Sequence, residues 1–109
     1  MVVEQFINEK ICQIRVYIQA VIESSLHYTE LDQFVNDTMA DWTLLAVVDE
    51  IPSCAEERVF WHLIHEISLH GAQNILADLT LKTEIQTCID FLAGIGSYPI
   101  DCIGWRPIA

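Results

Sequence analysis

The segment from residue 53 to about residue 77 constrains the fold most, because it is the most apolar long stretch with helical spacing. At about 100° per residue, one face of such a helix collects mainly apolar and small side chains. These residues are Phe60, Leu63, Ile64, Ile67, Gly71, Asn74 and Ile75. Trp61 and Leu69 fall outside that face, so the helix should contact neighbours on more than one side. We therefore predict a central helix around which the rest of the chain packs.

The start of this central helix is marked by a predicted cap. Ser53 followed by Glu56 matches a capping box, in which each side chain bonds the backbone N–H of the other residue. Pro52 disfavours a helix arriving from upstream. The spacing thus predicts a helix boundary at residues 52–53.

Three further stretches have helical spacing. The first runs from residue 3 to about 23. The second passes through Leu31 to Ala46, with a possible interruption at 36–38 where polar side chains compete for backbone hydrogen bonds. Its last part, LLAVV at 44–48, has enough β-branched residues for a strand, but we predict that it is helical because a lone strand would lack a partner. The third follows a joint and cap at 78–80 and ends at Gly94 and Gly96.

The C-terminal segment 97–109 has two prolines and a glycine, which predict an irregular tail. We expect Tyr98, Ile103 and Trp105 to anchor it. Together these patterns predict one all-α domain over residues 1–109: a helical bundle of four or more helices with an irregular C-terminal tail.

Net charge is the strongest compositional signal. Sixteen acidic residues oppose five Lys and Arg residues, which gives −11 at pH 7. This charge argues against nucleic-acid binding, which needs cationic contacts to phosphate. It favours attraction of a basic protein partner.

The sequence also bears on where the protein works. No apolar run reaches the length of a membrane span, and no signal-peptide pattern opens the chain. The four cysteines form no CxxC pair, so we expect reduced, mostly buried thiols. We therefore expect a cytoplasmic protein that does not bind membranes.

Half of the acidic residues lie between positions 30 and 57, where no Lys or Arg occurs. On a helical projection Glu30, Asp37 and Asp41 share one edge, which Leu44 and Val48 continue. Asp49 and Glu50 follow near the end of the same predicted helix. One interpretation is a solvated acidic face; the other, which we adopt, is a docking surface of all seven residues for a basic protein.

A metal site is the main alternative that the sequence offers. His62, Glu66 and His70 are spaced four residues apart and would align along the central helix. The projection, however, places His62 and Glu66 opposite the apolar face, where they should meet water. Bundle di-iron sites also use Glu-x-x-His pairs, which this chain lacks. We therefore expect no metal, no cofactor and no catalytic residues.

The size, acidity and helical character, with the segments EIPSCAEERVFWHLIHEIS and YPIDCIGWRP, resemble immunity proteins of bacterial contact-dependent inhibition and other polymorphic-toxin systems. The resemblance implies a protein-binding inhibitor, not an enzyme, that neutralises a basic toxin domain, such as a ribonuclease, by covering its active site. Two alternatives stay open at this point: a metal-binding helical-bundle enzyme using His62, Glu66 and His70, and a homo-oligomeric scaffold.

Overall fold

The structure, a computed structural model, describes residues 3–99, 102 and 104–107. It contains five helices and, within these residues, no strand. The helices are α1 (Val3–Ile22), α2 (Tyr28–Leu44), α3 (Ala55–His70), α4 (Ala72–Ala77) and α5 (Leu79–Leu92). The predicted all-α bundle with an irregular tail is confirmed. Among the helices described, none combines the length and apolar character needed to cross a membrane.

Helix α3 lies at the centre of the bundle and contacts the other four helices. Six of its apolar side chains are at most 1% exposed, namely Val59, Phe60, Trp61, Leu63, Ile64 and Ile67. The burial of Trp61 confirms that α3 meets neighbours on more than one side. Leu69 contributes to no such contact, because its side chain is 76% exposed.

The central helix ends earlier than the sequence predicted. Gly71 has a φ of +80°, which terminates α3, and the chain continues as the short helix α4. The backbone N–H of Ala72 then donates to Oδ1 of Asp32 at 3.0 Å, which ties this break to α2. Asn74, which we placed on the apolar face, is consequently exposed.

Helix α2 is uninterrupted at residues 36–38 but stops before the predicted Ala46. Asp37 accepts a bond from Gln33, one turn back, at 2.8 Å, so its side chain does not compete for the helix backbone. Ala46 has a φ of +53°, which ends the helical path. Val48 therefore lies in the loop 45–54 and not on a helix.

The predicted capping box between Ser53 and Glu56 is wrong, because Ser53 pairs with Glu57. Ser53 donates from its backbone N and its Oγ to Oε1 of Glu57, at 3.0 and 2.9 Å, and not to Glu56. Cys54 occupies the cap position without a side-chain bond. The shift of one residue has a physical reason, because Glu57 is buried and bonded to Arg106 of the tail.

The described part of the tail lies along α3. Gly104 packs so closely that an added Cβ would overlap the carbonyl oxygen of Arg58 and lie 2.5 Å from the backbone N of His62. The carbonyl of Trp105 accepts a bond from Nε2 of His65 at 2.9 Å, and Nε1 of Trp42 donates to Pro107 O at 3.3 Å.

The anchors of the tail differ from those predicted. The side chain of Trp105 is 54% exposed, whereas Arg106 is buried. Tyr98 is partly exposed but donates from its hydroxyl to the carbonyl of Cys102 at 2.6 Å. Ile103 lies outside the described residues.

Candidate functional site

The predicted docking residues form what we call the acidic strip: Glu30, Asp37, Asp41, Leu44, Val48, Asp49 and Glu50. All seven are exposed. Three of them, Glu30, Asp37 and Asp41, line a groove of about 390 Å³ between α1 and α2. Lys10, Gln13, Tyr17, Gln33 and Phe34 complete the lining of this groove. Local helical spacing was enough to place these three carboxylates together.

Some of the carboxylates in the groove already have a polar partner. Nζ of Lys10 lies 3.4 Å from Oδ2 of Asp41, and the same ammonium lies 5.6 Å from the ring centres of Phe6 and Phe34. Asp37 accepts from the Gln33 amide. Because the carboxylates of Asp37 and Asp41 are exposed to solvent, these pairs are weak and can be exchanged for contacts with a partner.

The C-terminal part of the acidic strip, residues 44–50, has exposed apolar side chains and a backbone that is bonded to the tail. Leu44 is 83% and Val48 95% exposed. The carbonyls of Asp49 and Glu50 accept bonds from the side chain and the backbone N–H of Arg106, both at 3.3 Å. The tail thus holds this end of the strip in place while the two carboxylates stay exposed.

Arg106 also forms a buried ion pair that sequence analysis did not predict. Its Nη2 donates to Oε1 of Glu57 at 2.9 Å and its Nε donates to Oε2. Trp61 Nε1 adds a bond to Oε2 at 2.9 Å, and Ser53 supplies the two bonds to Oε1. Glu57 is 0% exposed, and the Trp42 ring lies 5.7 Å from the guanidinium carbon.

The electrostatics of this pair follow from its partners. Burial alone would raise the pKa of Glu57, but the bonds from Arg106, Ser53 and Trp61 outweigh it and lower the pKa. The bond to Glu57 in turn raises the pKa of Arg106. Since both carboxylate oxygens are occupied by donors, we interpret this pair as a structural bridge between α3 and the tail.

A second buried group of polar side chains lies between α3, α5 and the tail; we call it the thiol cluster. The ligand atoms of His62, Cys88 and Cys102 all lie within 4.8 Å of one another. His62 Nε2 is 2.7 Å from Oε1 of Glu84, and Glu66 joins these two residues in an overlapping group of the same dimensions. Cys88 and Cys102 are buried, with 0% and 3% exposure.

The two thiols of this cluster interact directly. Their mutual hydrogen bond raises the pKa of Cys88 and lowers the pKa of Cys102. The nearby His62 also lowers the pKa of Cys102, because a positive charge on the imidazole would favour the thiolate. The two sulfurs therefore lie side by side and close to His62 in the interior of the bundle.

His62, Glu66 and His70, the metal ligands that the sequence suggested as an alternative, do not come together around one point. His70 Nε2 lies 3.3 Å from Oε2 of Glu66, while His62 faces Glu84 on α5. The prediction that His62 and Glu66 face water is wrong, because their side chains are only 13% and 23% exposed. Helix α5 covers that side of α3, which the projection of a single helix could not reveal. Cys88 and Cys102 had no spacing signal that linked them to His62.

A second groove, larger than the one along the acidic strip, lies between α1 and α5 and has a volume of about 660 Å³. Its lining mixes charges of both signs with apolar side chains: Cys12, Arg15, Val16, Gln19, Ala20, Glu23, Ile89, Asp90, Ala93 and Ile95. Sequence analysis did not predict it. Because it also carries two acids, the exposed Glu23 and the half-buried Asp90, it provides a charge-matched control for the acidic strip.

Comparisons with protein-family models, with curated proteins and with solved structures find no match for this chain. Function therefore has to be inferred from the chain's own surface and buried groups.

Proposed function

We propose that this protein is a protein-binding inhibitor of the immunity-protein type. Its acidic strip docks on a basic toxin domain, such as a ribonuclease, and covers the active site. The inhibitor itself carries out no chemistry.

The observation that supports this proposal is the groove that Glu30, Asp37 and Asp41 share. The exposed Leu44 and Val48 follow these residues along the chain. A nuclease active site presents Lys and Arg side chains to phosphate. Carboxylates in a groove can meet such side chains in charge-assisted hydrogen bonds. The neighbouring leucine and valine add apolar area that a partner can bury.

Charge also favours fast capture of such a partner. With a net charge of −11, the chain attracts a basic domain over a distance set by the ionic strength. Fast capture suits an inhibitor, because the toxin must be occupied before it acts. The fixed backbone at Asp49 and Glu50 reduces the ordering that binding would otherwise require.

The proposal predicts that a gene beside the one for this chain encodes a toxin domain. The test measures the nuclease activity of that domain at increasing inhibitor concentration. Wild type should abolish activity at one inhibitor per toxin domain. The double variant Glu30→Lys, Asp37→Lys should need at least about tenfold more protein, since each close charge pair across an interface contributes about 1.5 kcal/mol or more.

The matched control is the double variant Glu23→Lys, Asp90→Lys, which changes the groove between α1 and α5. Each reversal adds two charges to −11, so both double variants carry −7. The control should inhibit nearly as well as wild type. Equal inhibition by the two double variants would show that the acidic strip is only a solvated face.

Measuring the size of the protein in solution distinguishes the homo-oligomeric scaffold from the inhibitor. A stable homodimer that dissociates when Leu44 and Val48 are changed to Ser would assign the strip to self-association. A monomer that binds the toxin domain one to one supports the inhibitor.

A further inference from the structure

The thiol cluster has an arrangement that a buried cysteine pair alone does not require. Glu84 and Cys88 are four residues apart on α5, and His62 and Glu66 are four residues apart on α3, so each pair lies on one face of its helix. The two pairs face each other, and Cys102 joins them from the tail. Ligand sites in helical bundles are built from facing helices in this way.

From this geometry we infer that His62, Cys88 and Cys102 bind one Zn²⁺ ion, with a carboxylate of Glu84 or Glu66 completing the site. This inference is independent of the proposed inhibitor function. It also departs from the sequence-based expectation of no metal, which rested on spacing along the chain alone.

The distances suit a tetrahedral ion. With Zn–S bonds of about 2.3 Å and Zn–N bonds of about 2.0 Å, ligand atoms in such a site lie roughly 3.3–3.8 Å apart. The three ligand atoms here are already within 4.8 Å of one another, so small side-chain rotations bring them to an ion. Binding would release the thiol protons to solvent, as thiolate is the form that coordinates.

The kind of ligand selects the metal. Two sulfurs and one imidazole favour zinc over the hard cations Mg²⁺ and Ca²⁺, which prefer oxygen. The carboxylates favour zinc over Cu⁺, which prefers soft ligands alone. A disulfide between Cys88 and Cys102 would need neither the histidine nor the carboxylates, so it leaves the convergence of these groups unexplained.

The backbone around Cys102 is held from both sides. The Tyr98 hydroxyl fixes its carbonyl, and Gly104 packs against the backbone of α3 beside His62. A zinc ion would therefore join a tail that is already close to α3 and α5, and would clamp it there.

The experiment strips the full-length protein with EDTA under a phosphine reductant, adds Zn²⁺ or Co²⁺, and measures metal per chain after desalting. We expect one zinc per chain. Cobalt should give the sulfur-to-metal charge-transfer absorption of thiolate ligands and the visible bands of a tetrahedral site. The melting temperature should rise on zinc binding.

Two double variants separate this site from adventitious binding. Cys88→Ser, Cys102→Ser should lose stoichiometric zinc and the cobalt spectrum, whereas Cys12→Ser, Cys54→Ser should keep both, because Cys12 and Cys54 are exposed. His62→Gln should abolish binding, and Glu84→Gln should weaken it by about 10–100-fold if this carboxylate binds or orients the ligands.

Several outcomes would overturn the inference. They are the absence of zinc uptake by reduced wild type, or equal uptake by the two cysteine double variants. Far-UV circular dichroism shows whether each variant is folded. If Cys88→Ser, Cys102→Ser does not fold, the cobalt spectrum of wild type decides, since a spectrum without thiolate absorption contradicts the site.

Discussion

The charged side chains on the tail side of α3 and those of the acidic strip differ in burial and in pairing. On the tail side, Glu57 and Arg106 are buried and every oxygen of the carboxylate has a donor. On the strip, Glu30, Asp37 and Asp41 are exposed and weakly paired, and the apolar Leu44 and Val48 are exposed as well. Buried charges with full partners hold a fold together, whereas exposed, weakly paired charges remain available to a second molecule.

The largest effect expected is from breaking the buried pair. Arg106→Ala leaves the Glu57 carboxylate buried without its cation, so the free energy of unfolding should fall by about 3–5 kcal/mol. Urea unfolding followed by circular dichroism measures it. Asp41→Asn, which removes an exposed ion pair with Lys10, is the control and should cost less than about 1 kcal/mol. Similar losses in both variants would abolish the contrast between the two regions.

A second change tests the close packing of the tail. Gly104→Ala places a methyl group against the backbone at Arg58 and His62, which cannot move without distorting α3. We expect a loss of about 1–3 kcal/mol in unfolding free energy, the usual range for overpacking. Ser97→Ala, at an exposed position earlier in the tail, should stay within about 0.5 kcal/mol of wild type. A tolerated Gly104→Ala would mean that the tail does not lie on α3.

The pH dependence of stability gives a smaller but specific signal. Because the pKa of Glu57 is lower in the folded protein than its ordinary value of 4.5, the unfolded chain takes up the proton first. The contribution of Glu57 is complete above pH 4.5 and is lost as the pH falls through the lowered folded value. Glu57→Gln lacks this contribution, so the difference in unfolding free energy between wild type and variant should shrink in acid. Parallel curves from pH 7 to pH 3 would contradict the assignment.

The smallest effect on stability should come from the acidic strip. Glu30→Lys removes an acid from the first turn of α2, which costs a few tenths of a kcal/mol. Asp37→Lys removes a like-charge pair with Asp41 one turn away, which gains a similar amount. The double variant should therefore unfold within about 0.5 kcal/mol of wild type in a urea titration. A loss of 2 kcal/mol would assign these residues to the fold and not to a partner.

Local patterns predicted the parts of this molecule that depend on neighbours in sequence. The apolar spacing predicted the bounds of α1 to within a residue, and Phe60, Ile64 and Ile67 of the predicted apolar face are buried. The grouping of Glu30, Asp37 and Asp41 follows from the same helical geometry. The break at Gly71 was missed, because a lone glycine fits a helix at modest cost and no further signal marked a stop.

The parts that sequence reasoning missed depend on distant segments. Glu57 and Arg106 are 49 residues apart, and neither has a local feature that names the other. The thiol cluster brings α3, α5 and the tail together, so no spacing between cysteines could reveal it. A Glu in an apolar helix and an Arg in an apolar tail were the available signals, since buried charges need partners.

The measurement that tests the central contrast most directly is the rate of association with the proposed toxin domain at low and high salt. For wild type and for Glu23→Lys, Asp90→Lys, the rate should be high at low salt and fall steeply as salt increases. For Glu30→Lys, Asp37→Lys, the rate should be at least about tenfold lower at low salt and should depend less on salt. Equal rates and equal salt dependence for the two double variants would contradict the assignment of the acidic strip as the binding surface.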